Sequence, residues 1–141
     1  MTVCIDCRAE GVTTNRPIVS GKRTPRCATH HRSRRKAAQT AAHGYGLQTR
    51  HRMTPEQYQK LYEAQGGVCP ICRIATGKSK KLAVDHDHAC TAGHPPDQSC
   101  PRCWRGLLCG RCNQWIGWNP PEVLVRALEY QLDPPARRVF A

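Results

Sequence analysis

Leu82-Ala83-Val84-Asp85-His86-Asp87-His88 lies between two Cys-x-x-Cys pairs, Cys69/Cys72 and Cys109/Cys112, and Asn113 directly follows the last cysteine. This stretch decides the fold. Four thiolates can hold one tetrahedral zinc and fix a small ββα unit around it. Such a unit brings Asp85, His86 and Asn113 together from distant parts of the chain. A carboxylate, an imidazole and an amide oxygen beside a hard divalent ion make a phosphodiester-cutting site. Asp85 and Asn113 offer oxygen ligands to Mg²⁺, and His86 offers an imidazole that can take the proton from water. Neighbouring side chains of a regular strand point to opposite faces. Asp85 and His86 can therefore serve one site only if the strand bends or ends there, and a bend is expected. The competing reading makes them further zinc ligands or a polar strand end. The bracketing thiolates and Asn113 weigh against it.

The rest of the chain suits a metal-stapled protein. Its 141 residues include one Phe, two Met and three Trp, so the apolar core is thin, while ten cysteines supply staples. No apolar stretch follows the start and no run approaches a membrane span, so neither secretion nor membrane insertion is expected, and the expected location is cytoplasmic. In that setting the cysteines are better read as zinc ligands than as disulfides. The net charge of +12 favours a polyanionic partner, nucleic acid ahead of a membrane surface.

Working outward, residues 1–31 read as an N-terminal zinc unit. Cys4 and Cys7 form one knuckle, and Cys27 with His30 forms the other, a Cys3His set in which His31 competes with His30. Residues 32–53 read as a basic connector whose Arg32, Arg34, Arg35 and Lys36 are expected to neutralise phosphates. Ala37 to Ala42 can propagate a helix that Gly44 and Gly46 would stop. Residues 54–118 hold the central domain. It opens on a helix capped by Thr54, with Pro55 in the first turn, Gln57 at the capping-box position and Tyr58, Leu61 and Tyr62 on one face. Lys80 and Lys81 lie in a basic loop, and Arg105 precedes the second knuckle; all three are expected to contact DNA. Residues 89–104 read as an insertion whose Cys90, His94, Cys100 and Cys103 can bind a third zinc. A disulfide and free thiols are the rival readings there. In residues 119–141, Asn119 is expected to cap a helix with Val123, Leu124, Ala127, Leu128 and Leu132 on its apolar face. Pro134-Pro135 ends it, and a basic tail follows.

Residues 58–118 resemble the phage recombination endonuclease VII family of the HNH (His-Me finger) superfamily. The resemblance rests on Tyr62-Glu63-Ala64-Gln65-Gly66-Gly67-Val68-Cys69, Cys72, Val84-Asp85-His86-Asp87-His88, Arg105-Gly106-Leu107-Leu108-Cys109 and Cys112-Asn113, in order and spacing. It implies a small α+β fold with a ββα-metal core, flanked here by helices and the extra N-terminal zinc unit. It also implies structural zinc on Cys69, Cys72, Cys109 and Cys112, catalytic magnesium on Asp85 and Asn113, His86 as general base and His88 as an accessory near the scissile phosphate. Members cut branched DNA such as four-way junctions during phage DNA processing, and one that resolves junctions does so as an intertwined dimer. The implied setting is the bacterial host cell, with a homodimer as a candidate assembly. The insertion and the short C-terminal region depart from the pattern.

Three readings compete. The first is a Mg²⁺-dependent endonuclease preferring branched DNA. The second is an HNH nickase on ordinary duplex that aids phage genome packaging. The third is a non-catalytic zinc-stapled nucleic-acid-binding module, which has no need of Asp85, His86 and Asn113. A thiol-disulfide oxidoreductase would set its Cys-x-x-Cys in a βαβ context, a pattern this chain lacks.

Overall fold

A chain with so few large apolar residues buries its cysteines first. In the computed structural model, which describes residues 3–13, 16–90 and 92–140, the buried apolar residues include Cys4, Cys7, Cys27, Cys69, Cys100 and Cys103. The chain divides into two units, Met1–Thr49 and Arg50–Ala141.

The first unit contains α1 (Ile5–Ala9), an isolated antiparallel bridge between Ile18 and Cys27, and most of α2 (Ala28–His51). Its core is the cluster Cys4, Cys7 and Cys27, with Ile18 packed against it. Three thiols and one isoleucine bury too little apolar area to offset the entropy of ordering the surrounding loops. The bonds Val19 N→Arg26 O (3.0 Å) and Ile5 N→Pro25 O (3.1 Å) then tie the turn to α1.

Here α2 departs from expectation. It does not stop at Gly44 and Gly46 but runs 24 residues to His51. Neither glycine has positive φ, and Gly46 and Leu47 are buried. Glycine inside a helix costs about 1 kcal/mol relative to alanine, a cost that burial of this turn outweighs. The stop comes from Arg52, an exposed residue with φ 49°, in the left-handed conformation that usually follows a helix.

In the second unit, Thr54 caps α3 (Pro55–Ala64) as expected. Gln57 N donates to Thr54 Oγ1 (3.2 Å), Thr54 N donates to Gln57 Oε1 (2.8 Å), and Pro55 opens the first turn. The shared face is anchored through its hydroxyls. Tyr58 donates to Leu82 O (3.0 Å) and Tyr62 to Thr76 O (2.7 Å). Gly66 and Gly67, both at positive φ, end the helix.

The sheet has two antiparallel strands, β1 (Ala83–His86) and β2 (Trp104–Leu108). Gln65, at the end of α3, acts as a substitute third strand. Its Oε1 accepts from Leu107 N (2.7 Å) and its Nε2 donates to Leu107 O (2.9 Å). Leu107 is fully buried, so nothing else can satisfy those groups. Gln65→Ala is expected to destabilise the zinc-loaded protein by about 2 kcal/mol or more, for two stranded backbone groups. Denaturant unfolding checks this, and a midpoint equal to wild type would refute it.

After β2, Cys109 precedes α4 (Gly110–Trp118), which packs on both strands. The final helices are α5 (Pro121–Leu132) and α6 (Pro135–Val139). Asn119 does not cap α5. Pro120 occupies that position, and the Asn119 amide donates to Trp115 O (2.7 Å) at the end of α4. The side chain satisfies a last-turn carbonyl, while Pro121 opens α5 without needing a donor. On the apolar face of α5, Val123 and Leu124 are half-buried, whereas Leu128 and Leu132 are exposed. The basic tail after Pro134 forms a short helix. Among the described residues, no helix is long and apolar enough to cross a membrane.

Candidate active site and metal centres

β1 is bent between Asp85 and His86, as expected from the sequence. β1 pairs with β2 as Ala83↔Leu108, Val84↔Leu107 and Asp85↔Gly106, but His86 pairs with Trp104. Arg105 is therefore the extra residue of a bulge. The alternation of a flat strand is lost, and Val84, Asp85 and His86 are all buried.

The two site residues meet different partners. Arg105 Nε and Nη2 each donate to one Asp85 oxygen, both at 2.9 Å. His86 is buried, and its Nε2 has no hydrogen-bond partner. The Pro96 carbonyl near the ring favours its protonated form. His86 and His88 have ring centroids 4.4 Å apart, and His51 stands edge-on to His86 at 5.8 Å. Burial lowers the His86 pKa, and the charge of His88 adds to the effect.

His51 was not singled out from sequence. Its Nδ1 shares a 2.9 Å hydrogen bond with Ser99 Oγ, and its backbone carbonyl accepts from Trp104 Nε1 (2.9 Å). Burial, with His86 and Arg50 nearby, pushes its pKa from 6.5 down to about 4. The folded state thus holds His51 neutral. Its contribution to stability is present above the unfolded value of 6.5 and is lost as pH falls through about 4. In an NMR titration the His51 ring is expected to show no protonation above about pH 5. A midpoint near 6.5 would contradict this environment.

Asp87 has a local duty. Its carboxylate accepts from Ala89 N (2.9 Å) and its backbone N donates to Cys103 O (2.9 Å). Asp85, His88 and Arg105 line an open groove of about 590 Å³ that continues to the start of α5. His86 and Asn113 are not in its described lining. Asn113 is half-buried in the first turns of α4, where its backbone N donates to Cys109 O (2.9 Å).

Three groups of candidate metal ligands assemble, and they coincide with the sets read from sequence. They are Cys4, Cys7, Cys27 and His30; Cys69, Cys72, Cys109 and Cys112; and Cys90, His94, Cys100 and Cys103. In each group the candidate atoms lie within 4.8 Å of one another. All ten cysteines are unbridged. Sulfur–sulfur distances are 3.9 Å for Cys7–Cys27, 3.9 Å for Cys72–Cys109, 4.0 Å for Cys90–Cys100 and 3.8 Å for Cys100–Cys103. A zinc tetrahedron with bonds near 2.3 Å has an edge of about 3.8 Å, so the spacing fits the ion. His30 Nδ1 lies 3.3–3.4 Å from three sulfurs, so His30, not His31, faces the first group. Each group can bind zinc. In the central one, the backbone N–H groups of Ala75 and Ile74 lower the Cys72 thiol to about 6, favouring the thiolate that a metal needs.

Of the basic residues, Arg32, Arg34, Arg35 and Lys36 lie exposed on α2. Arg34 donates to Asp6 at 3.4 Å, whereas Arg32, Arg35 and Lys36 share a different side of the helix. Lys80 and Lys81 are exposed beside β1, and Arg105 is committed to Asp85.

Comparison with known proteins joins this geometry to a family. The profile of recombination endonuclease VII matches residues 44–133. The chain belongs to the recombination endonuclease VII family. Membership makes it a nuclease that hydrolyses DNA. This endonuclease VII family member is also 40% identical over 140 residues to the Gene 59 protein of Mycobacterium phage L5 and equally to that of Mycobacterium phage D29, matches spanning 97% of this chain and 77% of each relative. No solved structure is significantly similar to it.

Proposed function

We propose that the protein is a Mg²⁺-dependent endonuclease selective for branched DNA, of the Holliday junction resolvase type, built on a His-Me finger core formed by β1, β2 and α4. The observation that carries this reading is the bulge at Asp85/His86, which breaks the strand's alternation and leaves a carboxylate and an imidazole with an unpartnered Nε2 both buried at the end of β1. An unsatisfied buried polar atom is costly in a structural role and useful in a base.

His86 acts as the general base. Its Nε2, which no protein group occupies, carries the lone pair that accepts the proton of the attacking water. Asp85 and Asn113 are the residues that hold the metal. Arg105 uses one lone pair on each Asp85 oxygen, which leaves a second on each for a cation. A carboxylate and an amide oxygen are the hard donors that Mg²⁺ selects. When bound, Mg²⁺ supplies charge neutralisation at the scissile phosphate and its leaving oxygen. His88, exposed at the groove and next to His86, contacts that phosphate as an accessory. Arg32, Arg35, Lys36, Lys80 and Lys81 neutralise the DNA backbone, while Arg34 and Arg105 are engaged by Asp6 and Asp85, and zinc at the cysteine groups takes the place of an apolar core. A homodimer belongs to the same reading, because a junction needs paired cuts and the exposed Leu128 and Leu132 of α5 offer an apolar surface for a second copy.

The test is the metal requirement of cleavage. Asn113→Ala is expected to raise the Mg²⁺ concentration for half-maximal cutting of a labelled four-way junction by about 10-fold, for one lost oxygen ligand. An unchanged Mg²⁺ requirement would remove Asn113 from the metal.

A further inference from the structure

The third cysteine group lies in the loop joining the two strands, and the loop reaches back to His86. Its ligand atoms have tetrahedral spacing: Cys90–Cys100 at 4.0 Å, Cys100–Cys103 at 3.8 Å and Cys103 Sγ to His94 Nε2 at 3.5 Å. Pro96, between His94 and Cys100, presents its carbonyl to the His86 ring. Ser99 is fully buried, and it binds the end of α2 twice, through Oγ to His51 Nδ1 (2.9 Å) and through N to Arg50 O (2.7 Å). Beyond Cys103, the indole of Trp104 holds the His51 carbonyl at 2.9 Å. His51, so gripped, stands edge-on to His86.

We propose that the metal-bound loop of Cys90, His94, Cys100 and Cys103 is a positioning device for His86, with Ser99 fixing His51 as the wall against its ring. This rests on the reading of His86 as the general base. A loop carrying Pro95-Pro96 and a buried serine has little apolar area of its own to hold it. The metal supplies that hold, and the loop transmits it to one ring. His51 is a positioning residue because it acts through His86, whose ring it meets edge-on.

The test uses the full zinc-loaded chain and three readouts: zinc per chain, the His86 and His51 ring signals by ¹⁵N NMR, and single-turnover cleavage beside affinity for a labelled four-way junction. Wild type is expected to carry three zinc ions and one set of ring signals for each histidine. Cys100→Ser is expected to carry two and to shift or split the signals of both rings. Ser99→Ala keeps three and a folded spectrum. Both variants are expected to lose about 10–100-fold in single-turnover rate, the usual effect of removing an outer supporting group, with DNA affinity within about 3-fold. Wild type with only two zinc ions, His86 ring signals unchanged in Cys100→Ser, or both variants cutting at the wild-type rate would each overturn the proposal. A wild type that cuts no DNA, yet holds three zinc ions and His86 ring signals that Cys100→Ser disturbs, would support the loop's hold on His86 while refuting the nuclease role given to that ring.

Discussion

His86→Ala is expected to lower the single-turnover rate of DNA cleavage by about 10³-fold, within the range that a positioned general base supplies. DNA affinity should change by less than about 2-fold, because phosphate contacts carry affinity. The zinc content should not change either, since His86 belongs to none of the three ligand groups. The loss arises at one atom. Nε2 is buried and unpartnered, so its removal strands no protein group and opens no competing hydrogen bond. The neighbours cannot replace it. His88 lies close in space but in another orientation, with ring planes 41° apart. His51 is already bonded to Ser99 through Nδ1. A His86→Ala rate within about 10-fold of wild type would move the base elsewhere, with His88→Ala the next variant to measure.

Removal of zinc is expected to unfold the second unit. Among the described residues, its apolar core is Met53, Tyr58, Leu82, Val84, Leu107 and Leu108 with the buried cysteines. The two strands have four and five residues, too short to persist without support. Cys69 and Cys72 hold the loop before β1, and Cys109 and Cys112 hold the junction of β2 and α4, so one ion ties together every element that positions the site. Structural zinc supplies on the order of 10–16 kcal/mol of binding energy to small domains, comparable with the whole stability of an ordinary one. Complete chelation at neutral pH should therefore abolish the cooperative melting transition and collapse the amide NMR dispersion of residues 54–118. Cys109→Ser should approach the same state. A melting curve unchanged after verified removal of the metal would refute this account of the fold.

The features legible in the sequence are those set by short spacing. A Cys-x-x-Cys pair dictates its own bite, so the first two ligand groups can be read before any fold is known, whereas Cys90 and His94 join Cys100 and Cys103 through a spacing that leaves a disulfide or free thiols equally open until the loop is seen. The capping box of α3 is equally local, as is the conflict between Asp85 and His86 that only a bulge resolves. What stayed hidden depends on distant contacts. Nothing in the chain announces that His51 meets Ser99 and His86, or that Pro96 closes on the ring. Gly44 and Gly46 read as a stop because their local cost is visible and the burial that overrides it is not. Asn119 failed as a cap because the neighbouring carbonyl of Trp115 claimed its amide. Charge misleads in a similar way: the arginine content predicts a polyanionic partner, but only geometry reveals that Arg34 and Arg105 already face Asp6 and Asp85.

The most direct test of the central claim is cleavage by the purified, zinc-loaded protein in Mg²⁺, with a labelled four-way junction compared against linear duplex of the same sequence. The account predicts paired cuts in the junction, at least about 10-fold faster than in duplex, and none when Mg²⁺ is withheld. No product from either DNA at any Mg²⁺ concentration, from protein shown to be folded and zinc-loaded, would contradict it.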